Sequence, residues 1–378
     1  MKRSQVENHI KYAIVTDYNW IPNPFGEKEE RTSVSGDKIK NNFIEGNVQW
    51  WFFAIIFIAI FLRVFNFTSS SLWTDEFSTL WAANAPSLSD TIQRASMTQG
   101  MHPTYFIIQR AILSILPANE ATLRGLSCAA SIVSVFLIFW LGRIIFADDT
   151  RALLASAIFA IHADSIYYAQ EARPYALGIM FALLSQIFFM RFSKDGGLKN
   201  ILAYIAPSLA AVFLHYTFAA LFIFQNLYVF VSYYFKLKKI PLIQEAPSLK
   251  SWISVQTVCL ILLGFSMPHV SGLYDNRTAW NWVRNLDFQN ALYLFVSMFD
   301  LDLIGFMLGI AALFFIMERF SPATAILRLG KNASFTLLLW IISPFIFVFA
   351  ASRILDVSFF DPRYMLFSMP AYYLILAN

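Results

Sequence analysis

Long apolar runs separated by short polar segments make up most of the chain beyond residue 47. A helix needs roughly 20 mostly apolar residues to cross a bilayer core of about 30 Å. The pattern predicts membrane-spanning helices over residues 48–67, 123–146, 152–168, 176–191, 201–214, 218–235, 252–268, 303–317, 335–351 and 364–378. We therefore expect an all-α polytopic membrane protein with a bundle of about ten transmembrane helices.

The positions of the basic residues indicate how these spans are oriented. Lysine and arginine are enriched on the cytoplasmic side of membrane proteins. Residues 1–45 form a polar tail without the apolar core of a cleavable signal peptide. When this tail is placed in the cytoplasm, the basic segments 194–199, 236–250 and 319–331 fall on the same side. The sequence thus predicts a multi-pass protein of the inner (plasma) membrane, with residues 46–378 forming its transmembrane domain.

Residues 68–122 are expected to form the first extracytoplasmic loop. The apolar segment from Tyr105 to Leu116 is too short to span comfortably and fits an interfacial helix. The break Gly100-Met101-His102-Pro103 precedes it. Arg63, near the outer end of the first span, is expected to extend its guanidinium group to the interface.

Composition agrees with a membrane protein and narrows the choice of partners. The chain is 58% hydrophobic and 14% charged, with a mean hydropathy of +0.56, whereas soluble domains carry roughly 25% charged residues. The net charge of +4 is distributed over the loops, so no nucleic-acid partner is expected. Cys128 and Cys259 lie inside apolar runs without metal-type spacing. We predict no cofactor, and the need for a divalent metal stays open.

The predicted orientation collects the polar motifs on one membrane face. The residues on the extracytoplasmic side are Asp75, Glu76, His102, Glu120, Glu171, Arg173, Trp280, Asp361 and Arg363. A polar site at one face, built from loops far apart in the sequence, is what an enzyme acting on lipid-borne substrates requires. A transporter would instead be expected to carry charges near the membrane midplane.

Two adjacent carboxylates, Asp75 and Glu76, lie just beyond the first span. The simpler interpretation is that the two carboxylates are solvated charges in a loop. Its aromatic neighbours, Trp73, Phe77 and Trp81, favour desolvation, which raises the pKa of a carboxylate and suits it to accept a proton near neutrality. We interpret one carboxylate as a general base for an acceptor hydroxyl, and the other as a group that orients the acceptor.

His102, before the interfacial helix, is a candidate for phosphate or acceptor recognition. A helix N-terminus favours anions, and a histidine can donate a hydrogen bond to one. The alternative is a simple turn followed by an amphipathic anchor. His162 and His215 are isolated in the sequence, so a structural or interfacial role is expected for both, and no metal-binding motif accompanies them.

Two arginine-containing motifs at outer helix junctions are candidates for phosphate binding. They are Gln170-Glu171-Ala172-Arg173-Pro174-Tyr175 and Asp361-Pro362-Arg363-Tyr364. An outward arginine at a helix start departs from the positive-inside pattern and can bind phosphate through paired hydrogen bonds. The substrate- or phosphate-binding candidates are therefore Arg173, Tyr175, Arg363 and Tyr364, together with His102. The alternative is that these are ordinary solvated residues at the interface.

Six motifs occur in an order and spacing that together point to one family, although no single motif is specific. They are Ser71-Leu72-Trp73-Thr74-Asp75-Glu76, His102-Pro103, Leu123-Arg124, Leu141-Gly142-Arg143, Tyr168-Ala169-Gln170-Glu171-Ala172-Arg173-Pro174-Tyr175 and Pro362-Arg363-Tyr364. In these motifs the chain resembles the bacterial family 39 type glycosyltransferases. These belong to the GT-C superfamily and are related to protein O-mannosyltransferases and to lipid A aminoarabinose transferases. The resemblance is strong over residues 49–192 and resumes near residue 363.

The resemblance implies a GT-C type bundle that uses a polyprenyl-phosphate-linked sugar donor. It implies inverting transfer to a lipid, glycan or protein hydroxyl on the extracytoplasmic face. The family's catalytic carboxylate maps to Asp75 with Glu76 beside it, and its second acidic position maps to Glu171. The His-Pro-Pro of the family is here His102-Pro103-Thr104, so the second proline is missing.

Family members are commonly longer than this chain. The last predicted span, from Tyr364 to Asn378, has about 15 residues, which corresponds to about 22 Å of helix. We interpret the chain as a shortened member or a gene fragment.

Two other functions stay open at the level of the sequence. A transporter or flippase of lipid-linked sugars would need charged residues along a path through the membrane. A non-catalytic membrane protein would need no site at all. The grouping of charges at one face favours the enzyme.

Overall fold

The computed structural model describes residues 47–97, 102–237, 246–275, 287–298, 331–354 and 361–378, and the regular structure in these ranges is helical. The first eight α-helices are α1 (Val48–Val64), α2 (Thr74–Ala83), α3 (Leu88–Ser96), α4 (Thr104–Leu113), α5 (Glu120–Phe146), α6 (Asp149–Ile161), α7 (Ala163–Ala169) and α8 (Tyr175–Asp195). The others are α9 (Leu198–Leu214), α10 (Ala220–Leu237), α11 (Leu249–Gly264), α12 (Met267–Asp275), α13 (Phe288–Ser297), α14 (Lys331–Ile354) and α15 (Met369–Leu376). Short 3-10 helices occupy Tyr216–Ala219 and Pro362–Ser368. The expected cytoplasmic tail 1–45, the predicted span 303–317 and Trp280 lie outside the described residues.

Several of these helices are long and apolar enough to cross a membrane. In the described ranges there are four, at Glu120–Phe146, Tyr175–Asp195, Tyr216–Leu237 and Thr336–Ile354. A fifth results if α6 and α7, which meet at an angle of 60°, are taken as one broken span. The all-α prediction is thereby confirmed for the part of the chain that the structure describes, and its four or five candidate spans support a multi-pass membrane protein.

Helices α5 and α8 lie at the centre of the bundle. Helix α8 packs along α5 and α9, α6 packs along α5, and α1 lies against both α5 and α6. The rings of Phe189, Tyr204 and Trp252 interlock in the core with centroids 5.4–6.0 Å apart, which is typical of aromatic pairs. The Ser127 hydroxyl near the start of α5 donates to the carbonyl of Arg173, just before α8, at 3.0 Å. The two helices therefore present their N-terminal ends side by side.

The first loop folds into a compact helical cap rather than a chain of solvated residues. Its interfacial segment is confirmed as helix α4, and α2 and α3 precede it. Ala82, Ala95 and Phe106, one from each of these helices, form a small buried cluster. Helix α3 begins with a capping box, in which Ser87 and Asp90 satisfy each other's backbone N–H groups. The cap thus holds the start of α2 in a fixed place over the bundle.

Arg63 does not reach the interface, contrary to the sequence-based expectation. Its side chain is fully buried, and it lies beside the point where the expected continuous span 152–168 breaks at His162. Its five donated hydrogen bonds go to Ser131 Oγ, Ala59 O, Ala160 O, Phe159 O and Ser165 Oγ, at 2.8–3.3 Å. Inside a bilayer, a helix can break only where neighbouring groups satisfy the freed carbonyls. Arg63 supplies those donors to Phe159 and Ala160.

The C-terminal segment, predicted as an inward-going span, is helical in the structure. Residues Pro362–Ser368 form a 3-10 helix, and α15 adds only eight residues. Tyr373 and Leu374 are buried, and α15 packs against α6 and α14. Asn378 accepts a hydrogen bond from Nη1 of Arg151, in the first turn of α6, at 3.1 Å, whereas Arg363 contacts Asp75 at the other end of the bundle. The segment therefore runs along the bundle from Asp75 towards the start of α6.

We expect Arg63→Gln to destabilise the protein strongly. Glutamine cannot supply five donors, so buried carbonyl and hydroxyl oxygens lose their partners at about 1–3 kcal/mol each. The expected loss is about 3 kcal/mol or more of unfolding free energy, measured as a lower unfolding temperature of the purified protein in detergent. Lys199→Gln, at an exposed lysine, is the matched control and should change stability little. Equal unfolding temperatures for the two variants would contradict the role given to Arg63.

Candidate active site

The two adjacent carboxylates occupy the first turn of helix α2 and point in different directions. Asp75 and Glu76 follow the N-cap residue Trp73 by two and three positions. Successive residues of an α-helix are rotated by about 100°, so neighbours cannot share a face. The Asp75 side chain is 29% exposed, and that of Glu76 is 1% exposed. One carboxylate therefore faces solvent and the other faces the protein.

Glu76 is held by an inward-facing set of hydrogen bonds. Arg124, in the first turns of α5, donates from Nε to Oε1 at 2.8 Å and from Nη2 to Oε2 at 2.7 Å. The N–H of Ala172 donates to Oε1 at 2.8 Å, and that of Trp73 donates to Oε2 at 3.4 Å. A carboxylate has about four acceptor positions. The Glu76 carboxylate thus joins α2, α5 and the segment before α8, and it holds the neighbouring Asp75 in place.

The exposed aromatic residues around the pair do not bury it. Trp73, Phe77 and Trp81 are all at least 40% exposed, as expected of side chains at a membrane interface. Glu76 is buried by Arg124 and the Ala172 segment instead. The aromatic residues that were expected to favour desolvation of the pair are therefore not the groups that bury Glu76.

Asp75 meets two arginines from distant parts of the chain. Arg363 donates from Nη1 to Asp75 Oδ2 at 3.1 Å, and Arg173 Nη2 lies 3.9 Å from the same oxygen. Arg173 also donates from Nη1 to the backbone carbonyl of Asp75 at 3.2 Å. Both recorded side-chain contacts of Asp75 in the described ranges use Oδ2. The predicted grouping of Asp75, Arg173 and Arg363 is confirmed as a spatial cluster.

Arg363 is fixed by the aspartate two residues before it. Its Nε and Nη2 donate to the two oxygens of Asp361, each at 3.1 Å, and its backbone N–H donates to Asp361 Oδ1 at 2.9 Å. Burial lowers the pKa of the guanidinium group, but Asp361, Tyr175 and Tyr364 together raise it above its ordinary value. The paired geometry aims Nη1 at Asp75, so Arg363 is a fixed positive charge next to that carboxylate.

Glu171 is a buried carboxyl group beside the same arginines. It is 4% exposed, and neither of its oxygens has a hydrogen-bond partner among the described residues. Burial raises its pKa to about 7, an effect that Tyr167, Arg173 and Arg363 partly offset. A carboxyl group that loses its proton near neutrality can exchange protons with a substrate at physiological pH.

The tyrosines at the site form an aromatic stack with a histidine that the sequence had not singled out for function. His215 lies with its ring centroid 5.8 Å from that of Tyr175 and 5.1 Å from that of Tyr364. Burial, and then the charges of Arg173 and Arg363, lower the pKa of His215 to about 3. Nearby, Gly178 leaves room for the ring of Phe218, because a Cβ at that position would collide with it. His215 is thus a neutral ring beside the two arginines.

His102 lies in a second cluster, apart from the recorded contacts of Asp75. Its Nδ1 is 2.7 Å from the hydroxyl of Thr104, the residue that replaces the second proline of the family motif and begins α4. Its ring packs against Phe213, Tyr216 and His269, with centroids 5.0–6.0 Å apart. Burial, with a smaller contribution from His269, lowers the pKa of His102 to about 4. His102 is therefore neutral near pH 7 and could assist a substrate as a hydrogen-bond donor.

The described residues offer no metal site of the usual kind. No group of three or more His, Cys, Asp or Glu side chains in these ranges could hold a metal ion. Cys128 and Cys259 are both buried and unlinked.

No protein-family model matches the chain, and no curated protein matches it significantly. The choice of function therefore depends on the geometry of the site and on the motifs themselves.

The two adjacent carboxylates should respond differently to neutralisation. Glu76→Gln leaves the Arg124 guanidinium buried without its counter-charge, which should lower the unfolding free energy by about 3 kcal/mol or more. Asp75→Asn changes a partly exposed group and should lower it by less than about 1 kcal/mol. Thermal unfolding of the two purified variants measures this difference. Similar stability losses would contradict the inward, positioning role of Glu76.

Glu171→Gln should have a pH-dependent effect on stability. The folded-state pKa of about 7 lies above the ordinary value of 4.5, so the stability contributed by protonated Glu171 is complete below about pH 4.5 and is lost as the pH rises through about 7. Glutamine stays neutral throughout. The unfolding temperature of the variant relative to the wild type should therefore rise between about pH 5 and about pH 8, by an amount equivalent to up to about 3 kcal/mol.

Glu120→Gln is the matched control, because Glu120 is a partly exposed carboxylate in the first turn of α5. A constant difference between Glu171→Gln and the wild type over this pH range would contradict the raised pKa of Glu171.

Proposed function

We propose that the protein is an integral-membrane glycosyltransferase. In this proposal it moves a sugar from a polyprenyl-phosphate-linked donor to an acceptor hydroxyl of a lipid, glycan or protein, with inversion at the sugar carbon. The observation that carries the proposal is the contact of Asp75 with Arg363 and Arg173 at one end of a bundle of apolar helices. A solvent-accessible carboxylate and two guanidinium groups are the residue types that a hydroxyl nucleophile and a phosphate leaving group need.

Asp75 is the general base of the proposed reaction. It accepts the proton of the acceptor hydroxyl as the hydroxyl oxygen forms its bond to the anomeric carbon. At the same time the bond between that carbon and the phosphate oxygen breaks, and its electron pair leaves with the lipid phosphate. Because a phosphate is a good leaving group, it needs no proton from a general acid.

The arginines couple the two charge changes of the reaction. Before transfer, Arg173 and Arg363 are balanced by the carboxylates of Asp75 and Asp361. When Asp75 takes up the proton it becomes neutral, which leaves positive charge uncompensated as the phosphate gains negative charge. Charged groups placed in advance where charge develops are an effective means of stabilising a transition state. Arg173 Nε, buried and without a hydrogen-bond partner in the described ranges, is a further donor for the phosphate.

The other predicted residues fit around this reaction in distinct roles. Glu76 positions Asp75 through its buried contacts. Glu171, with its pKa raised to about 7, is suited to relay the proton from Asp75. Tyr175 and Tyr364 pack against His215 near the arginines and are assigned to substrate binding, and His102 contacts the acceptor side as a neutral donor.

The finer architecture belongs to the same proposal. We place the protein in a GT-C type bundle of about ten spans, with a cytoplasmic N-terminus and an extracytoplasmic site in the plasma membrane. The motifs shared with family 39 type glycosyltransferases support this arrangement. Membrane lipids surround the bundle, and the reaction as written uses no metal ion.

Transport of a lipid-linked sugar is the main alternative. A buried charge in a bundle could line such a path, but all five donors of Arg63 are engaged with structural oxygens. The polar contacts around Asp75 gather at helix ends rather than along a path. These observations favour the enzyme.

Asp75→Asn should abolish sugar transfer. Loss of a general base lowers rates by about 10²–10⁴-fold. Membranes containing the protein are incubated with a panel of polyprenyl-phosphate sugars, and release of polyprenyl phosphate is measured together with sugar transfer.

Arg363→Gln should also reduce turnover in the same assay, because it removes the positive charge that stabilises the phosphate leaving group.

Glu120→Gln, at a partly exposed carboxylate in the first turn of α5 and away from the recorded contacts of Asp75, is the matched control and should keep wild-type turnover. Normal turnover by Asp75→Asn at equal expression would overturn the assignment of the base. Counterflow of radiolabelled lipid-linked sugar in proteoliposomes, without product, would identify a transporter instead.

A further inference from the structure

A cavity of about 580 Å³ lies at the opposite end of the bundle from Asp75. Its lining includes Arg143 near the end of α5 and Arg191 and Lys194 near the end of α8. Arg124, beside the candidate active site, precedes Arg143 by 19 residues on α5, which corresponds to about 28 Å of helix. That length is close to the thickness of a bilayer core. The cavity therefore opens at the other membrane face.

The charged residues concentrate at the rim of this cavity. Arg143, Arg191 and Lys194 contribute three positive charges to the lining, and Asp195 contributes one negative charge. Arg143 also pairs with Asp149 at 2.8 Å through Nε, so a positive charge remains after the local ion pairs are counted. The positive-inside pattern explains cations at these helix ends, but it does not explain a cavity between them.

The walls and floor of the cavity suit an amphiphilic molecule. Ile144, Phe189 and Met190 supply apolar surface. Gln186, nine residues before the end of α8, places the floor about 14 Å from the helix end. The hydroxyl oxygen of Ser193, which also lines the cavity, is buried without a hydrogen-bond partner in the described part of the chain. An acceptor oxygen that is bound at the rim could take its hydrogen bond.

We propose that this cavity binds a phosphate ester, presented as the headgroup of an anionic phospholipid in the membrane leaflet opposite the Asp75 site. Arg191 and Lys194 bind the phosphate at the rim, and the apolar walls take the first carbons of the lipid chains. Basic pockets between transmembrane helices are a common means of binding anionic lipid headgroups. The cavity volume lies within the range of about 300–1,000 Å³ that is typical of small-ligand sites.

Native mass spectrometry of the purified protein in detergent tests this proposal. The protein is titrated with dioleoylphosphatidylglycerol, with dioleoylphosphatidylcholine, and with glycerol 3-phosphate, which carries the phosphate ester without acyl chains. We expect phosphatidylglycerol to bind at least about tenfold more tightly than phosphatidylcholine. Each removed cation should weaken this binding about fivefold.

Lys194→Gln and the double variant Arg191→Gln/Lys194→Gln measure the contribution of the rim. Lys194 is exposed, so its replacement leaves the fold intact; thermal unfolding checks the double variant, because Arg191 also lies over the ring of Trp140. The matched control is Lys199→Gln/Lys236→Gln, which removes two exposed charges from the neighbouring helices α9 and α10. We expect the control to keep wild-type affinity for phosphatidylglycerol.

Equal binding of the two lipids, or an equal loss of affinity in the control, would overturn the site. Binding of glycerol 3-phosphate as tight as that of phosphatidylglycerol would overturn the lipid source and identify a free phosphate ester as the ligand. Preferential binding of phosphatidylglycerol that Lys194→Gln alone weakens would support the proposal even if the double variant fails to fold.

Discussion

The buried ion pair between Glu76 and Arg124 is the interaction on which the Asp75 end of the bundle depends. Burial of two charges is unfavourable unless hydrogen bonds satisfy the remaining donors and acceptors. Here the carboxylate is completed by the N–H groups of Ala172 and Trp73, and the guanidinium group by the carbonyls of Phe67, Ser70 and Ser71. This one ion pair therefore joins the segment after α1 to α2, to α5 and to the turn before α8. The position of Asp75 follows from this junction.

Two adjacent acidic residues thus differ in role because a helix turns them to different sides. The inward one is part of the framework, and the outward one meets Arg173 and Arg363. The nearby Glu171 has burial without a counter-charge in hydrogen-bond contact, and its pKa rises to about 7. One end of the bundle therefore holds a fixed carboxylate at Glu76, an accessible one at Asp75, and one at Glu171 whose pKa is near neutrality.

The sequence predicted the helical class, the helix α4 and the grouping of Asp75 with Arg173 and Arg363. These features were predictable because the bilayer sets the length of apolar runs and the placement of charged residues. The resemblance assigned the base to Asp75, but the residues alone could not show that Glu76 faces inward, because the start of α2 sets which carboxylate does so. The sequence also missed Arg63 and His215, whose surroundings come from residues far along the chain. Arg124 carried a signal, since a cation at the start of a predicted span needs an acidic partner. The break between α6 and α7 coincides with the polar residues His162, Asp164 and Ser165 in an otherwise apolar run, a signal that the prediction of one continuous span did not use.

The sequence separation of the site residues has a consequence for biosynthesis. The scaffold contacts of Glu76 reach Arg124 and Ala172, which follow it by 48 and 96 residues, whereas Arg363 follows Asp75 by 288 residues. Chains are made and inserted from the N-terminus. The framework can therefore assemble while the ribosome is still at work, before the arginine that faces Asp75 has been made. A nascent chain would carry a folded but unfinished site, so the order of synthesis itself delays activity until Arg363 has been inserted.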